Sequence, residues 1–252
     1  MLVYRELDPP PELAGHVRSL WELRGRAPSG PARILPDGCL DLVFYVGHMG
    51  ARGHAVGPLL GPLEVGLTGD VHVVGVCVRP GAGFAVLGLP ADAVAGAAVP
   101  LRDLPGAGAT AVEEAVAGAC DGRALAELAS RLTPRCRNRG PDASCLEAAR
   151  RLRVSPGLAI PAVAAALGLS VRQLERRFRA SVGLTPKAFA RVARFDRAVR
   201  ALGADPAQDL AALALDCGYA DQAHFNHEFR ALAGTSPRAH VANRQDAAHD
   251  ST

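Results

Sequence analysis

Residues 160–237 contain one pattern twice, and this repeat constrains the fold more than any other feature of the chain. The first copy runs from Ile160 through Ala164, Gly168, Leu174 and Phe178, then leaves through Gly183-Leu-Thr-Pro186. The second runs from Asp209 through Ala214, Gly218, Phe225 and Phe229, then leaves through Gly234-Thr-Ser-Pro237. Ala164 and Ala214 each stand four residues before their glycine, and Leu174–Phe178 and Phe225–Phe229 are both i, i+4 pairs. The step from the second aromatic to the exit proline is eight residues in both copies, and copy two has one extra residue after its glycine.

Each anchor has a physical reason. Two short helices cross steeply only through a tight turn, which Gly168 and Gly218 permit. The residue four before it must be small where the second helix packs across, as Ala164 and Ala214 are. Ser170 and Asp221 are good N-caps for second helices expected over 171–181 and 221–232. The pairs Leu174/Phe178 and Phe225/Phe229 then place two apolar side chains on one helix face, toward a core. Between the copies, Pro186–Leu202 reads as one helix with proline at its first position and Gly203 at its end. Its length of about 25 Å suits recognition helices roughly one DNA turn apart.

Charge supports this reading. Residues 150–200 hold twelve Lys and Arg against Glu175 and Asp196, a net +10, whereas 201–240 is net −3. A basic block on helical sequence is a phosphate footprint. The groove-facing positions lie near the N-terminal ends of the second helices: Arg172, Gln173, Glu175 and Arg176 on the first, and Gln222, His224, Asn226 and His227 on the second. Arg pairs with guanine, Gln and Asn with adenine, and Glu accepts from cytosine. Ser170, Arg177, Arg179, Lys187, Arg191 and Arg194 are placed to meet phosphates.

The N-terminal half follows a different period. Val17–Leu23, Cys39–Val46 and Val71–Val78 read as strands, and Pro36-Asp37-Gly38, Gly57-Pro58, Gly61-Pro62, Gly66 and Gly69 read as turns. A short helical stretch starts at Pro90, and Ala111–Ala119 and Arg123–Leu132 read as helices separated by Asp121-Gly122. The Pro-, Gly- and Arg-rich segment 133–143 reads as a linker. The organisation expected is therefore a β-rich domain over 1–132, a linker over 133–143, a helical domain over 144–242 and a disordered tail over 243–252.

The run Cys217-Gly-Tyr-Ala-Asp-Gln-Ala-His-Phe-Asn-His-Glu-Phe-Arg230, followed by Gly234-Thr-Ser-Pro237, resembles the signature of the AraC family of transcription regulators. The resemblance covers about 100 residues. It implies base reading by Arg172, Glu175 and Arg176, and by Gln222, His224 and His227, with the first unit the stronger. His227 departs from the arginine that many members carry there. In the N-terminal half, Pro36-Asp-Gly-Cys-Leu-Asp-Leu-Val-Phe44, Gly75-Val-Cys-Val-Arg-Pro-Gly81 and Leu87-Gly-Leu-Pro-Ala-Asp92 resemble the sensor domains of a subset of these regulators. That implies a cupin-like antiparallel β domain with accessory helices, placed before an all-α domain of two helix-turn-helix units joined by a long helix. The class is α+β multidomain. The partners implied are double-stranded DNA, RNA polymerase, an unidentified small-molecule effector and, through helices 111–132, a second copy of the chain.

No apolar run is long enough for a membrane span, and the first residues lack a secretory pattern, so a cytoplasmic protein is expected. No catalytic grouping or cofactor motif stands out, so no enzyme activity, cofactor or metal is expected. Two alternatives stay open. One is a cupin-like metal enzyme using His48, His54 and His72. The other is a DNA-binding redox or alkylation sensor built on Cys136, which is flanked by arginines, and the nearby Cys145. Cys39 and Cys77, on apolar strand sequence, read as small buried hydrophobes.

Overall fold

The structure is a computed structural model that describes residues 2–27, 31–106, 108–119 and 122–242. The tail expected over 243–252 lies outside these residues, as do Cys120 and Asp121.

In the N-terminal half the strands are β1 (Leu2–Leu7), β2 (Val17–Arg26), β3 (Pro31–Ile34), β4 (Leu40–Gly47), β5 (Gly50–Val56), β6 (Leu63–Gly66), β7 (Asp70–Val78) and β8 (Ala98–Pro100). An antiparallel sheet orders them β1-β2-β7-β4-β5-β8, and β3 and β6 form a separate ribbon. Alternation along β2, β4 and β7 sends Leu20, Leu42, Phe44, Val74 and Val76 to one face and Trp21, Leu23, Val43 and Val73 to the other. The first face carries the main core. The second is covered at Leu59 and Leu63, from the loop before the ribbon and from the ribbon itself.

Helices α1 (Gly83–Leu87), α2 (Ala109–Ala117) and α3 (Ala124–Asn138) close the main core. Val112 and Val116 of α2 and Leu125, Leu128 and Leu132 of α3 are buried in it. Their apolar stripes therefore face the sheet of their own domain.

The segment 133–143 does not form a linker throughout. Residues 133–138 continue α3, with Pro134 inside the helix. Cys136 stands four residues after Leu132 and extends the buried stripe, so the apolar period of α3 runs on through a segment expected to be a linker. The Thr133 hydroxyl donates to the Ala129 carbonyl at 2.9 Å one turn earlier. Residues 140–142 then carry the chain to the next helix.

The C-terminal half is helical: α4 (Ala143–Val154), α5 (Ile160–Ala166), α6 (Val171–Val182), α7 (Pro186–Ala204), α8 (Leu210–Asp216) and α9 (Gln222–Ala233). The chain thus pairs an antiparallel β domain with a helical domain.

Candidate nucleic-acid interface

The two copies of the repeat fold alike. In the first, the Leu169 and Gly168 amides donate to the Ala164 and Ala165 carbonyls, both at 3.0 Å; in the second, Tyr219 and Gly218 donate to Ala214 and Leu215, both at 2.9 Å. Gly168 and Gly218 have φ of 66° and 84°, the left-handed region that such a turn requires. Ala164 and Ala214 are buried where the helices cross.

The caps match as well. Ser170 accepts from the Gln173 amide at 3.2 Å while the Gln173 side chain accepts from the Ser170 amide at 2.9 Å, a reciprocal capping box. Asp221 accepts from the His224 amide at 2.7 Å. Gly183 and Gly234 end α6 and α9 in left-handed geometry, and the Thr185 and Ser236 hydroxyls accept from Ala188 and Ala239 in the helices that follow.

Leu174, Phe178, Phe225 and Phe229 are fully buried. Phe178 meets Phe189 at 5.4 Å between ring centroids, and Phe229 meets Phe195 at 5.1 Å. Phe189 and Phe195 both belong to α7, so this helix carries one aromatic anchor for each unit. At 19 residues it is about 28 Å long.

With their apolar faces fixed inward, α6 and α9 expose the opposite face. Arg172, Gln173, Glu175, Arg176 and Arg179 are exposed on α6, and Gln222, His224 and His227 on α9, with Asn226 half-buried. The exposed edge of α6 lines a cleft of about 900 Å³ together with Ser170, and Pro90 and Asp92 of the β domain form part of its wall. On α9, Gln222, Asn226 and Arg230 stand one turn apart and line a smaller cleft with Asp209 and Arg238. Arg230 was not among the expected base readers; its i+4 spacing from Asn226 was the available signal.

Several expected contacts are engaged elsewhere. Arg177 forms a two-pronged ion pair with Asp142, both contacts at 2.8 Å. Burial acts to raise the Asp142 carboxyl, but Arg177 and the Cys145 amide outweigh it and hold the group below the usual carboxylate range. Arg191 and Arg194 both reach Glu228 of α9, at 3.3 and 3.1 Å, and Arg194 also lies over the Tyr219 ring at 5.3 Å. These three arginines, expected to meet phosphates, join α4 to α6 and α7 to α9. Ser170 and Gln173 are engaged in the cap, and the His224 ring packs edge-on against Tyr219 and lies 3.6 Å from Glu228. Arg172, Arg176, Arg179 and Lys187 keep their side chains on the exposed surface.

The thiol candidates change places. Cys136 and Cys145 are 3% and 0% exposed, and burial pushes each thiol up to about 11, outweighing the lowering from Arg135 at Cys136 and from Ser181 and Arg177 at Cys145. Neither has the exposed, low-pKa character of a reactive cysteine. Cys39 and Cys77, by contrast, come together beside Asp37. The histidines do not: His48 is exposed in a turn, His54 packs edge-on against Tyr45, and His72 lies 2.7 Å from Glu22.

Residues 163–243 match the helix-turn-helix domain family, and residues 5–100 match a domain of unknown function, DUF6597. No curated protein sequence matches the chain. Among solved structures, ToxT from Vibrio cholerae superposes with a TM-score of 0.43 at 8% identity, over 96% of this chain and 97% of that one. A structure of ToxT from the same organism with an unsaturated fatty acid bound superposes at 0.42 and 8%, over 96% and 94%. At that level of likeness nothing is carried over from ToxT to this chain. Among the described residues no helix is long and apolar enough to cross a membrane.

Proposed function

We propose that this chain, whose C-terminal segment is a helix-turn-helix domain of the AraC type, is a sequence-specific DNA-binding transcription regulator. The observation that carries the reading is the pairing of two equivalently capped helices on one rigid spine. Phe189 and Phe195 of α7 anchor α6 and α9, and both helices turn their polar residues outward.

In this reading Arg172, Glu175 and Arg176 address base edges, while Arg179 and Lys187 address phosphates. Gln222, Asn226 and His227, with Arg230, form the second reading face. It is weaker because the cap Asp221 is acidic and Arg191 and Arg194, the nearby arginines of α7, are committed to Glu228. The N-terminal domain receives the signal. It is seated on the helices it would control: Pro58 packs at Gly183 and Pro62 at Gly234, the C-terminal ends of α6 and α9. Its Asp92 lines the same cleft as the α6 arginines.

Binding to the DNA upstream of its own gene, measured over a salt series, tests the proposal. A linear fall of log K with log salt and a preference over random DNA are expected. A flat salt response, or equal affinity for random sequence, overturns it.

A further inference from the structure

Where the two domains meet, the end of the β-sheet gathers two cysteines and a carboxylate that the DNA-binding reading does not use. One oxygen of Asp37 and the sulfurs of Cys39 and Cys77 all lie within 4.8 Å of one another. Both cysteines are 3% exposed. The strand register explains the gathering. Cys77 of β7 stands between Ser19 of β2 and Asp41 of β4 in one row across the sheet. Cys39 lies two residues before Asp41, on the same side. The turn at Asp37-Gly38, where Asp37 Oδ1 accepts from the Cys39 amide at 2.8 Å, brings the carboxylate back over the pair.

We propose that Asp37, Cys39 and Cys77 bind a thiophilic divalent metal ion of the zinc and cadmium class. Two features favour this over a disulfide. Cys39 lies one residue before β4 and diagonal to Cys77 of β7 if the register is continued, an offset at which Cα atoms stand about 7–8 Å apart, beyond what a disulfide bridges without backbone movement. A tetrahedral ion with sulfur ligands at about 2.3 Å holds them roughly 3.8 Å apart instead, within reach of the separation present. The second feature is Ser19 Oγ, a buried oxygen in the same row with no hydrogen-bond partner. It offers a donor for the fourth position, in a fold where buried hydroxyls are ordinarily satisfied.

The site is coupled to the domain contact. Cys39 Sγ accepts from Arg18 at 3.2 Å and from Arg153 at 3.4 Å, and Arg153 also donates to the Asp37 carbonyl at 2.9 Å. Arg18 reaches Asp37 Oδ2 at 3.5 Å. Arg153 belongs to α4 of the helical domain, where it lies over Phe189 and faces Asp196. A cation on the Cys39 sulfur meets the positive guanidinium of Arg153, whose Nη2 lies 3.4 Å from that sulfur, so the ion and Arg153 repel each other across Cys39. The binding site itself does not depend on the DNA-binding reading.

Titration of the reduced, metal-free full-length protein with Cd(II) alone tests the inference. A saturable sulfur-to-cadmium charge-transfer absorbance is expected, reaching its plateau at one ion per chain. Cys39→Ser and Cys77→Ser each remove one thiolate's share of the absorbance. Asp37→Asn keeps the turn and both thiols and lowers the affinity by about tenfold or more. Arg153→Ala removes the repelling charge and tightens binding severalfold, an effect that a fold defect does not produce. Cys136→Ser and Cys145→Ser leave the titration unchanged. Absence of a saturable band, a band that survives loss of both Cys39 and Cys77, or oxidation of the pair to a disulfide in place of metal binding overturns the proposal.

Discussion

Arg177 of α6 and Asp142, the N-cap of α4, form a two-pronged ion pair with both contacts at 2.8 Å. Asp142 also accepts from the Cys145 amide at 3.0 Å, and its own amide donates to Gly81 of the β domain at 2.9 Å. One residue thus caps α4, holds α6 and touches the other domain. Asp142→Asn keeps a side chain that can cap the helix and loses the partly exposed ion pair with Arg177, so it is expected to lower stability by about 1 kcal/mol or less. The sign of the pH dependence follows from the depressed carboxyl. Its stabilisation is present in full above the ordinary Asp value and is lost as pH falls through the lower folded value, in the acid region below about pH 4. Urea melts at neutral and acid pH check this: the gap between wild type and Asp142→Asn narrows in acid.

Arg176→Ala and Arg172→Ala are each expected to cost roughly 1–3 kcal/mol on the preferred site and to relax selection at one base position. Arg179→Ala and Lys187→Ala weaken binding equally on all sequences and reduce the salt slope by about one. Competition assays on single-base variants of the site separate the two classes. Equal weakening everywhere by Arg176→Ala makes it a phosphate contact.

Glu228 accepts from Arg194, forms an ion pair with Arg191 and is 12% exposed in its side chain, against 16% for Arg194. Glu228→Gln leaves Arg194 charged and largely buried without its counter-charge. A loss of about 2 kcal/mol is expected, below the value for a fully buried pair because Arg191 is more open. Denaturant unfolding measures it. Arg191→Ala is the milder change, because the more buried Arg194 stays paired with Glu228.

Gly75 of β7 lies under the indole of Trp21, and a Cβ there collides with the ring. Trp21 Nε1 donates to Asp41 at 2.9 Å and is the chain's one tryptophan. Gly75→Ala is expected to cost about 1–3 kcal/mol through overpacking. It also shifts tryptophan emission to longer wavelength as the ring is displaced toward water. Unchanged emission shows that the sheet absorbs the methyl group without moving Trp21.

The local design of the helical domain is legible in residue spacing alone. Gly168 and Gly218, the caps Ser170 and Asp221, and the pairs Leu174/Phe178 and Phe225/Phe229 act through neighbours within a few residues, so spacing alone located them. The central strands were legible for the same reason, because alternation along 17–23, 39–46 and 71–78 has a period of two. Cys136 was misread because its chemistry as an apolar filler shows only when the buried stripe of α3 is seen to continue through it.

Which charges are engaged follows from contacts between distant elements. Arg177, Arg191 and Arg194 look like Arg172 and Arg176 in sequence, yet they are committed to Asp142 and Glu228, residues 35, 37 and 34 positions away. The pairing of Cys39 with Cys77 depends on strand register, and the seating of Pro58 and Pro62 on Gly183 and Gly234 depends on how two domains dock. Such contacts join residues far apart in the chain. They are set by where each element's apolar face is buried, which local spacing does not encode.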